Sequence, residues 1–215
     1  MLNVLKDNNV LKQMMIDNIL KVKENETIYR RMTALQNEIT VSFDTKVIAV
    51  TSINNDELSA AFAKAFGQTF ALNKAKTLVI DANLYNPSLS KVLKQKEEPA
   101  SDVEVTTSEK ESNYDIIFID EGIDAVLLKK EIYPSEVYKG GLVNKIIKEN
   151  EGKYEHFIVL VPSLKKHKEV SLLKGLVNAI ILVTQSSMTK KGDIYYALQY
   201  LAANELPIAK TVVIK

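Results

Sequence analysis

The sequence contains no cysteine, and only Arg30 and Arg31 among its 28 basic residues are arginines. Without cysteine there is no disulfide, no thiolate metal site and no cysteine nucleophile, which is typical of an intracellular chain. Because arginine is best suited to bidentate recognition of phosphate, its scarcity argues against a phosphate-rich binding surface. The 28 basic and 27 acidic side chains nearly cancel, so we expect no strong electrostatic field that would attract nucleic acid or a membrane.

Long apolar runs are also missing. The longest, such as residues 179–183, are far too short to cross a bilayer, and the N-terminus lacks a basic region followed by an apolar one. We therefore expect a cytoplasmic protein without direct membrane insertion, which can reach the inner face of the plasma membrane through a partner or through weak surface charge. The 46% of hydrophobic residues in 215 positions is enough for a sizeable core.

Short, continuous apolar segments predict six buried strands, at residues 46–51, 77–81, 115–119, 157–161, 179–183 and 211–214. Amphipathic helices are predicted between them, after Asn54, over residues 135–150 and over residues 193–203. This alternation predicts a doubly wound α/β fold with a mainly parallel central sheet and helices on both faces. The polar stretch 94–113 is predicted to be a solvated loop.

Two further helices are predicted near the N-terminus. Apolar residues recur at helical spacing first at Val10, Met14, Met15 and Ile19, and then over residues 27–41 at Ile28, Met32, Leu35 and Ile39. We expect an N-terminal helical segment over 1–45 and an α/β domain over 46–215, together forming one globular unit. The helical pair is expected either to pack on the sheet or to make an oligomer or partner contact.

Several short motifs resemble those of one protein family. Residues 77–89 read TLVIDANLYNPSL and resemble the LLIDADLRxPSL segment of the bacterial tyrosine autokinases (BY-kinases) of capsule and exopolysaccharide synthesis. Residues 28–32 resemble the family's N-terminal helix motif EAYRxLR, and residues 133–137 resemble the NPSEL that begins a family helix. These kinases are related to the MinD-like and partition ATPases of the deviant-Walker branch of P-loop proteins. The resemblance, which runs from about residue 27 onwards, implies a P-loop NTPase-like fold.

The residues at the P-loop position depart from this pattern. A P-loop needs glycines, whose backbone N–H groups wrap a phosphate, together with a lysine and a magnesium-binding Ser or Thr. Residues 51–58 read TSINNDEL, without glycine or lysine; Asn55 stands at the lysine and Asp56 at the Ser or Thr. The spacing of Asn54 and Glu57 predicts a capping box. Carboxylates at this helix start would repel the phosphate that binds there in P-loop proteins.

The second Walker motif is altered as well. Asp81 is kept, but Asn83 replaces the second acid and Tyr85 the arginine, and an asparagine cannot act as a carboxylate base. Aligning residues 154–163 with the Walker B strand places Leu160 at the magnesium-binding aspartate. A rival alignment places Asp120 there, although the order of elements favours Leu160. We expect no catalytic residue, metal or ATP-type cofactor at the vestigial positions Asn54, Asn55, Asp56, Asp81, Asn83 and Leu160.

The resemblance and its departures together predict a catalytically inactive BY-kinase-like regulatory or adaptor protein of capsule or exopolysaccharide synthesis. Its implied partners are a transmembrane polysaccharide chain-length regulator or an active kinase paralogue. Two alternatives remain open: an active tyrosine kinase or ATPase with an atypical nucleotide site, and a degenerate partition or divisome-type ATPase homologue. In the family, a glutamate and two arginines pair between subunits. Here Arg30 matches the first arginine, Thr33 replaces the second and Glu26 is one residue out of step, so we expect little or no homo-oligomer.

Other polar features give weaker signals. His156 and His167 have no convergent metal-ligand cluster. The basic run 165–168 is predicted to be a solvated turn, with contact to an acidic partner or anionic lipid as the alternative. Partner docking is expected around the helix after Asn54, the turn at residues 86–88 and the final strand–helix–strand.

Overall fold

Eight strands form one sheet in the computed structural model, which describes residues 12–43, 45–94, 105–107, 113–129, 132–139, 141–186 and 188–214. The strands are β1 (Val47–Ser52), β2 (Thr77–Asp81), β3 (Val105–Thr107), β4 (Tyr114–Asp120), β5 (Ile123–Leu128), β6 (His156–Leu160), β7 (Ala179–Gln185) and β8 (Ile208–Ile214). Their spatial order is β3-β4-β5-β2-β6-β1-β7-β8. The six strands from β5 to β8 in this order run parallel, and β3 and β4 are antiparallel additions at one edge.

Helices cover both faces of the sheet. They are α1 (residues 12–20), α2 (Glu26–Phe43), α3 (Asp56–Leu72), α4 (Leu89–Lys94), α5 (Pro134–Tyr138), α6 (Leu142–Asn150) and α7 (Lys191–Ala203), with a 3₁₀ turn at Glu169–Leu173. Alternate strand residues serve opposite layers: Ile48 and Val50 pack with α1–α4, whereas Val47 and Ala49 pack with α5–α7. Both faces of β1 are therefore buried, which explains its unbroken apolar sequence. The predicted doubly wound, mainly parallel α/β fold is confirmed.

The helix α3 occupies the centre of one layer. Phe62, Phe66 and Phe70 follow one another at intervals of four residues, and all three are fully buried. The rings of Phe62 and Phe66 stack with centroids 5.5 Å apart, and the rings of Phe66 and Phe70 meet edge to face with centroids 5.1 Å apart. This spacing places the three rings on one face of α3, which packs against the sheet residues Ile48, Val50 and Val79 in one core.

The antiparallel edge of the sheet differs from the prediction. The strand predicted at 115–119 is the first arm of a hairpin, whose second arm, β5, was not predicted. Gly122 allows the tight turn because its φ of 79° lies in the left-handed region. The predicted loop 94–113 was wrong at Val105–Thr107, which form β3, whereas residues 95–104 and 108–112 lie outside the described residues.

Two predicted helices also need correction. The helix predicted over 135–150 is divided into α5 and α6, because Gly141 adopts a φ of 74° that interrupts helical geometry. In α1, Met14 is 55% exposed, while Ile16 and Ile19 are buried with the α3 residues in one core. Val10 lies outside the described residues. The boundary at residue 46 stays a prediction, although α1 and α2 share that core.

Candidate functional site

The carboxyl ends of the central parallel strands meet at one edge of the sheet, where open α/β folds bind their ligands. Leu160 of β6 lies in register with Val50 of β1 on one side and Asp81 of β2 on the other. The link between β1 and α3 and the loop after β2 begin at this same edge. The structure thus brings together all six positions that the sequence marked as vestigial: Asn54, Asn55, Asp56, Asp81, Asn83 and Leu160.

Asp120 lies away from this site, at the opposite ends of the strands, near the start of β2. It ends β4, whose direction is reversed, and it pairs with Ile123, which lies opposite the first residue of β2. There its carboxylate forms an ion pair with Lys23 and accepts a hydrogen bond from Gln68 Nε2 at 3.3 Å. The rival alignment that placed Asp120 at the magnesium position is therefore wrong, since an antiparallel hairpin carries that residue away from the site.

The link from β1 to α3 has only three residues, and one of them, Ile53, is buried. Asn55 caps the helix, because its Oδ1 accepts a hydrogen bond from the Leu58 N–H at 3.2 Å. The predicted cap at Asn54 was one residue early, and that side chain is exposed. Glu57 forms an ion pair with Lys12 at 2.5 Å. A link of three residues, without glycine and with Ile53 buried, is too short and too restricted to wrap around a phosphate.

The carboxylate of Asp56 joins the start of α3 to two loops at the site. Its Oδ1 accepts a hydrogen bond from the Ser163 N–H at 2.9 Å, and its Oδ2 accepts one from Asn86 Nδ2 at 3.2 Å. Asp56 stands in the first turn of α3, whereas Asn86 follows β2 and Ser163 follows β6. A negatively charged side chain of the protein therefore occupies the positive end of α3, the place where an anionic ligand is most strongly stabilised.

Asp81 is buried beside Asp56 and holds the loop that follows β2. Its Oδ1 accepts a hydrogen bond from the Asn83 N–H at 3.1 Å, and its Oδ2 accepts one from the Leu89 N–H at 3.0 Å. Burial raises the pKa of Asp81 to about 7, and the nearby charge of Asp56 adds to the rise. The side chain thus serves as an internal loop anchor.

The remaining positions offer no charged ligand. Asn83 is 1% exposed, and its Oδ1 accepts a hydrogen bond from the Asn86 N–H at 3.2 Å. Leu160 is fully buried and apolar. Across the residues that the structure describes, no three His, Cys, Asp or Glu side chains converge as a metal site would require.

Two stacked aromatic rings border the site, a contact that the sequence does not predict. The rings of Tyr85 and His167 stack 3.8 Å apart, and the Tyr85 hydroxyl donates a hydrogen bond to Glu169 Oε1 at 2.5 Å. That hydrogen bond raises the pKa of Tyr85. Because Tyr85 and Glu169 are 84 residues apart, no local spacing could have predicted the contact.

The other histidine and the turn at residues 86–88 have structural roles. His156 packs against Phe70 with ring centroids 4.2 Å apart, and burial lowers the pKa of its imidazole. Ser88, expected at an accessible docking surface, is fully buried and donates a hydrogen bond to the Asn86 carbonyl at 2.8 Å. The exposed residues of this turn are Tyr85 and Pro87.

No protein family model and no curated protein matches the sequence. Solved structures do match. The chimerical protein CapA2B2 superposes with a TM-score of 0.75 at 16% identity, covering 91% of this chain and 89% of its own. The kinase domain of the Escherichia coli tyrosine kinase ETK gives a TM-score of 0.69 at 17% identity, with coverages of 91% and 78%. The MinD cell division protein of Aquifex aeolicus gives 0.54 at 20% identity, with coverages of 78% and 68%.

These comparisons establish the fold. The chain has the architecture of bacterial tyrosine kinase domains and, more broadly, of MinD-like P-loop proteins. The resemblance to BY-kinases inferred from short motifs is confirmed at this level, whereas the loss of activity stays a prediction. Within the described part of the chain, no helix combines the length and apolar character needed to span a bilayer.

Proposed function

We propose that this chain is a catalytically inactive BY-kinase-like protein that acts through protein contacts as a regulator or adaptor of capsule or exopolysaccharide synthesis. One observation carries the proposal. The Asp56 carboxylate lies at the start of α3 and bridges the loops after β2 and β6 through Asn86 and Ser163. A nucleotide phosphate at this place would have to displace both hydrogen bonds and meet a like charge.

The surrounding groups support the same conclusion. Phosphate binding by a P-loop depends on several backbone N–H groups that converge on the anion and on a lysine that neutralises it. Here the three-residue link is anchored by buried Ile53, and Lys12 is paired with Glu57. Asp81 accepts hydrogen bonds from two backbone N–H groups. The motif alignment puts Leu160, which is fully buried and apolar, at the position of the magnesium-binding acid. The polar side chains of the site therefore hold its loops together.

A protein of this fold that binds no nucleotide can still act through surfaces that bind other proteins. We infer that the partner is the cytoplasmic part of a transmembrane polysaccharide chain-length regulator or an active kinase paralogue. Tyr85 is 48% exposed at the rim of the site, and Pro87 is also exposed. A half-exposed tyrosine ring stacked on His167 offers a rigid, amphipathic contact of the kind that interfaces favour.

Titration with ATP and magnesium tests the loss of nucleotide binding. We expect no heat of binding by calorimetry and no rise in melting temperature at millimolar nucleotide. A ligand present at a hundred times its Kd stabilises the folded state by ~2.7 kcal/mol, which a thermal scan resolves. A clear ATP-dependent shift that disappears in Asp81→Ala would favour the active-enzyme alternative instead.

Binding to the cytoplasmic segment of a transmembrane polysaccharide chain-length regulator tests the adaptor role. We expect measurable affinity for that segment, and a loss of about tenfold in Tyr85→Ala, since an aromatic interface anchor contributes on the order of 1–2 kcal/mol or more. The matched control is Tyr133→Ala, which removes a tyrosine that is 71% exposed elsewhere on the surface. Equal affinity in both variants would place the contact away from this rim.

A further inference from the structure

The loop after β6 and the start of α7 come together on the surface. Lys165 Nζ forms an ion pair with Asp193 of the first helical turn at 3.3 Å. Further along the helix, Lys168 Nζ lies 4.7 Å from the ring centre of Tyr196 and 4.5 Å from that of Tyr200. We call this region the basic α7 surface, formed by Lys165, Lys166, Lys168, Lys190, Lys191, Tyr195 and Tyr196.

The positive charge of this surface is only partly neutralised. Asp193 is committed to Lys165, and Glu169 accepts a hydrogen bond from Tyr85. Lys166, Lys190 and Lys191 are exposed, and none of them forms an ion pair with another described residue. Unpaired ammonium groups are therefore exposed on both of these neighbouring segments, although the whole chain has a formal net charge of only +1.

Apolar and aromatic groups border these lysines. Tyr195 is 65% exposed, Tyr196 is 55% exposed, and Met188, just before α7, is 40% exposed. Tyrosine has an apolar ring and a polar tip, which suits the boundary between lipid headgroups and hydrocarbon. The combination of exposed rings and unpaired ammonium groups matches a surface that is both anionic and partly apolar.

We infer that the basic α7 surface docks reversibly on an anionic lipid bilayer. All five of its cations are lysines, whose compact ammonium groups on flexible stems are attracted to an anionic lipid surface without requiring a fixed contact geometry. Each lysine close to an anionic membrane strengthens partitioning about fivefold. The three unpaired lysines are enough for weak, peripheral association, with no segment crossing the bilayer. This contact goes beyond the proposed adaptor role, because it requires neither the partner nor a nucleotide.

Sedimentation with lipid vesicles tests the inference on the full chain. We expect binding to phosphatidylglycerol vesicles, little binding to phosphatidylcholine vesicles, and weaker binding as salt is raised. The triple variant Lys166→Gln/Lys190→Gln/Lys191→Gln should lose about a hundredfold in partitioning, from three losses of about fivefold each. Circular dichroism and melting temperature establish that the variant is folded.

A matched triple variant controls for the loss of charge alone. Lys74, Lys76 and Lys153 are exposed near the opposite edge of the sheet, beside the starts of β2 and β6. Changing these three to Gln removes the same charge and should leave vesicle binding within about twofold, because the altered groups do not face the membrane. Equal loss in both triple variants, or no binding of the unaltered protein to phosphatidylglycerol, would overturn the inference.

A soluble acidic polymer separates lipid from an acidic protein partner. Poly-glutamate supplies carboxylates without an apolar layer, so we expect it to compete poorly with phosphatidylglycerol vesicles. Tyr195→Ala/Tyr196→Ala should weaken vesicle binding several-fold, because it removes the two exposed rings. If poly-glutamate binds as tightly as the vesicles, and the tyrosine variant binds lipid unchanged, the surface serves an acidic polypeptide and the lipid inference is wrong.

Discussion

At the scale of single residues, Asp56 has the largest structural role in the site. It accepts hydrogen bonds from Ser163 and Asn86, and the Ser163 residue is almost fully buried. Removing the carboxylate leaves a buried N–H group without its partner, which costs about 1–3 kcal/mol. We therefore expect Asp56→Ala to lower the free energy of unfolding by that amount, measured by urea denaturation.

The adjacent carboxylate provides the control for this change. Glu57 lies in the same helical turn, but it makes only a partly exposed ion pair with Lys12. Such pairs contribute roughly 0–1 kcal/mol, so Glu57→Ala should have a clearly smaller effect than Asp56→Ala. Equal losses in the two variants would mean that the loop bridge adds nothing to stability.

Asp81 should make stability depend on pH. Its pKa is raised from 3.8 to about 7 in the folded protein, mainly by burial. The folded state therefore holds a proton that the unfolded state has released, so this group's contribution is full below pH 3.8 and is lost as pH rises through about 7. In Asp81→Asn this pH dependence should disappear. Urea denaturation at pH values across that window, compared between the two proteins, checks the result; parallel profiles would contradict it.

At the scale of elements, the β4–β5 hairpin is the part that sequence patterning missed. Glu121–Gly122 between two apolar runs is a turn signal. Asp124 interrupts the second run, so the apolar pattern did not predict β5. At Gly122, an added Cβ would lie 3.0 Å from Ala71 Cβ of α3. The turn is therefore constrained both by its φ of 79° and by close packing on a helix.

Replacing this glycine tests both constraints. Gly122→Ala should lower the free energy of unfolding by more than the roughly 1–2 kcal/mol of left-handed strain, because Ala71 must also shift. Gly141→Ala is the matched control, since its φ is 74° and an added Cβ there meets nothing within 4 Å. Thermal unfolding of the two variants separates strain from contact, and a smaller loss at Gly122 than at Gly141 would count against the packing role.

At the scale of the whole molecule, the α2 helix bears on self-association. Arg30 forms an exposed ion pair with Glu26 on the same helix, with a separation of 2.6 Å. The arginine that matches the family's subunit contact is thus paired within its own chain, and Thr33 supplies no second cation. We expect a monomer of 24.1 kDa in solution, measured by sedimentation velocity. A stable ring at micromolar concentration would show that other contacts replace the missing ion pairs.

Local patterns were sufficient for most of the fold. The continuous apolar strands and the spacing of Phe62, Phe66 and Phe70 report burial directly, because each strand residue faces one of two covered layers. The residue types at the site could also be predicted, because the absence of glycine and lysine from residues 51–58 is evident from the sequence alone. Helix boundaries were predicted less accurately: the helix cap is Asn55 rather than Asn54, and Gly141 divides one predicted helix into two.

The sequence by itself determined the α/β architecture and the absence of P-loop residues, because both depend on residue type and short-range period. Only the tertiary structure decided which contacts the residues of the altered motifs make. Asp56 reaches Asn86 across 30 residues and Ser163 across 107, and Tyr85 meets His167 and Glu169 only after β2 and β6 are paired. Asp120 was carried to the far edge by an antiparallel turn. These contacts join segments that are far apart in the sequence, and no sequence pattern indicates which distant segments meet. They can be predicted only when the register and direction of the strands are known.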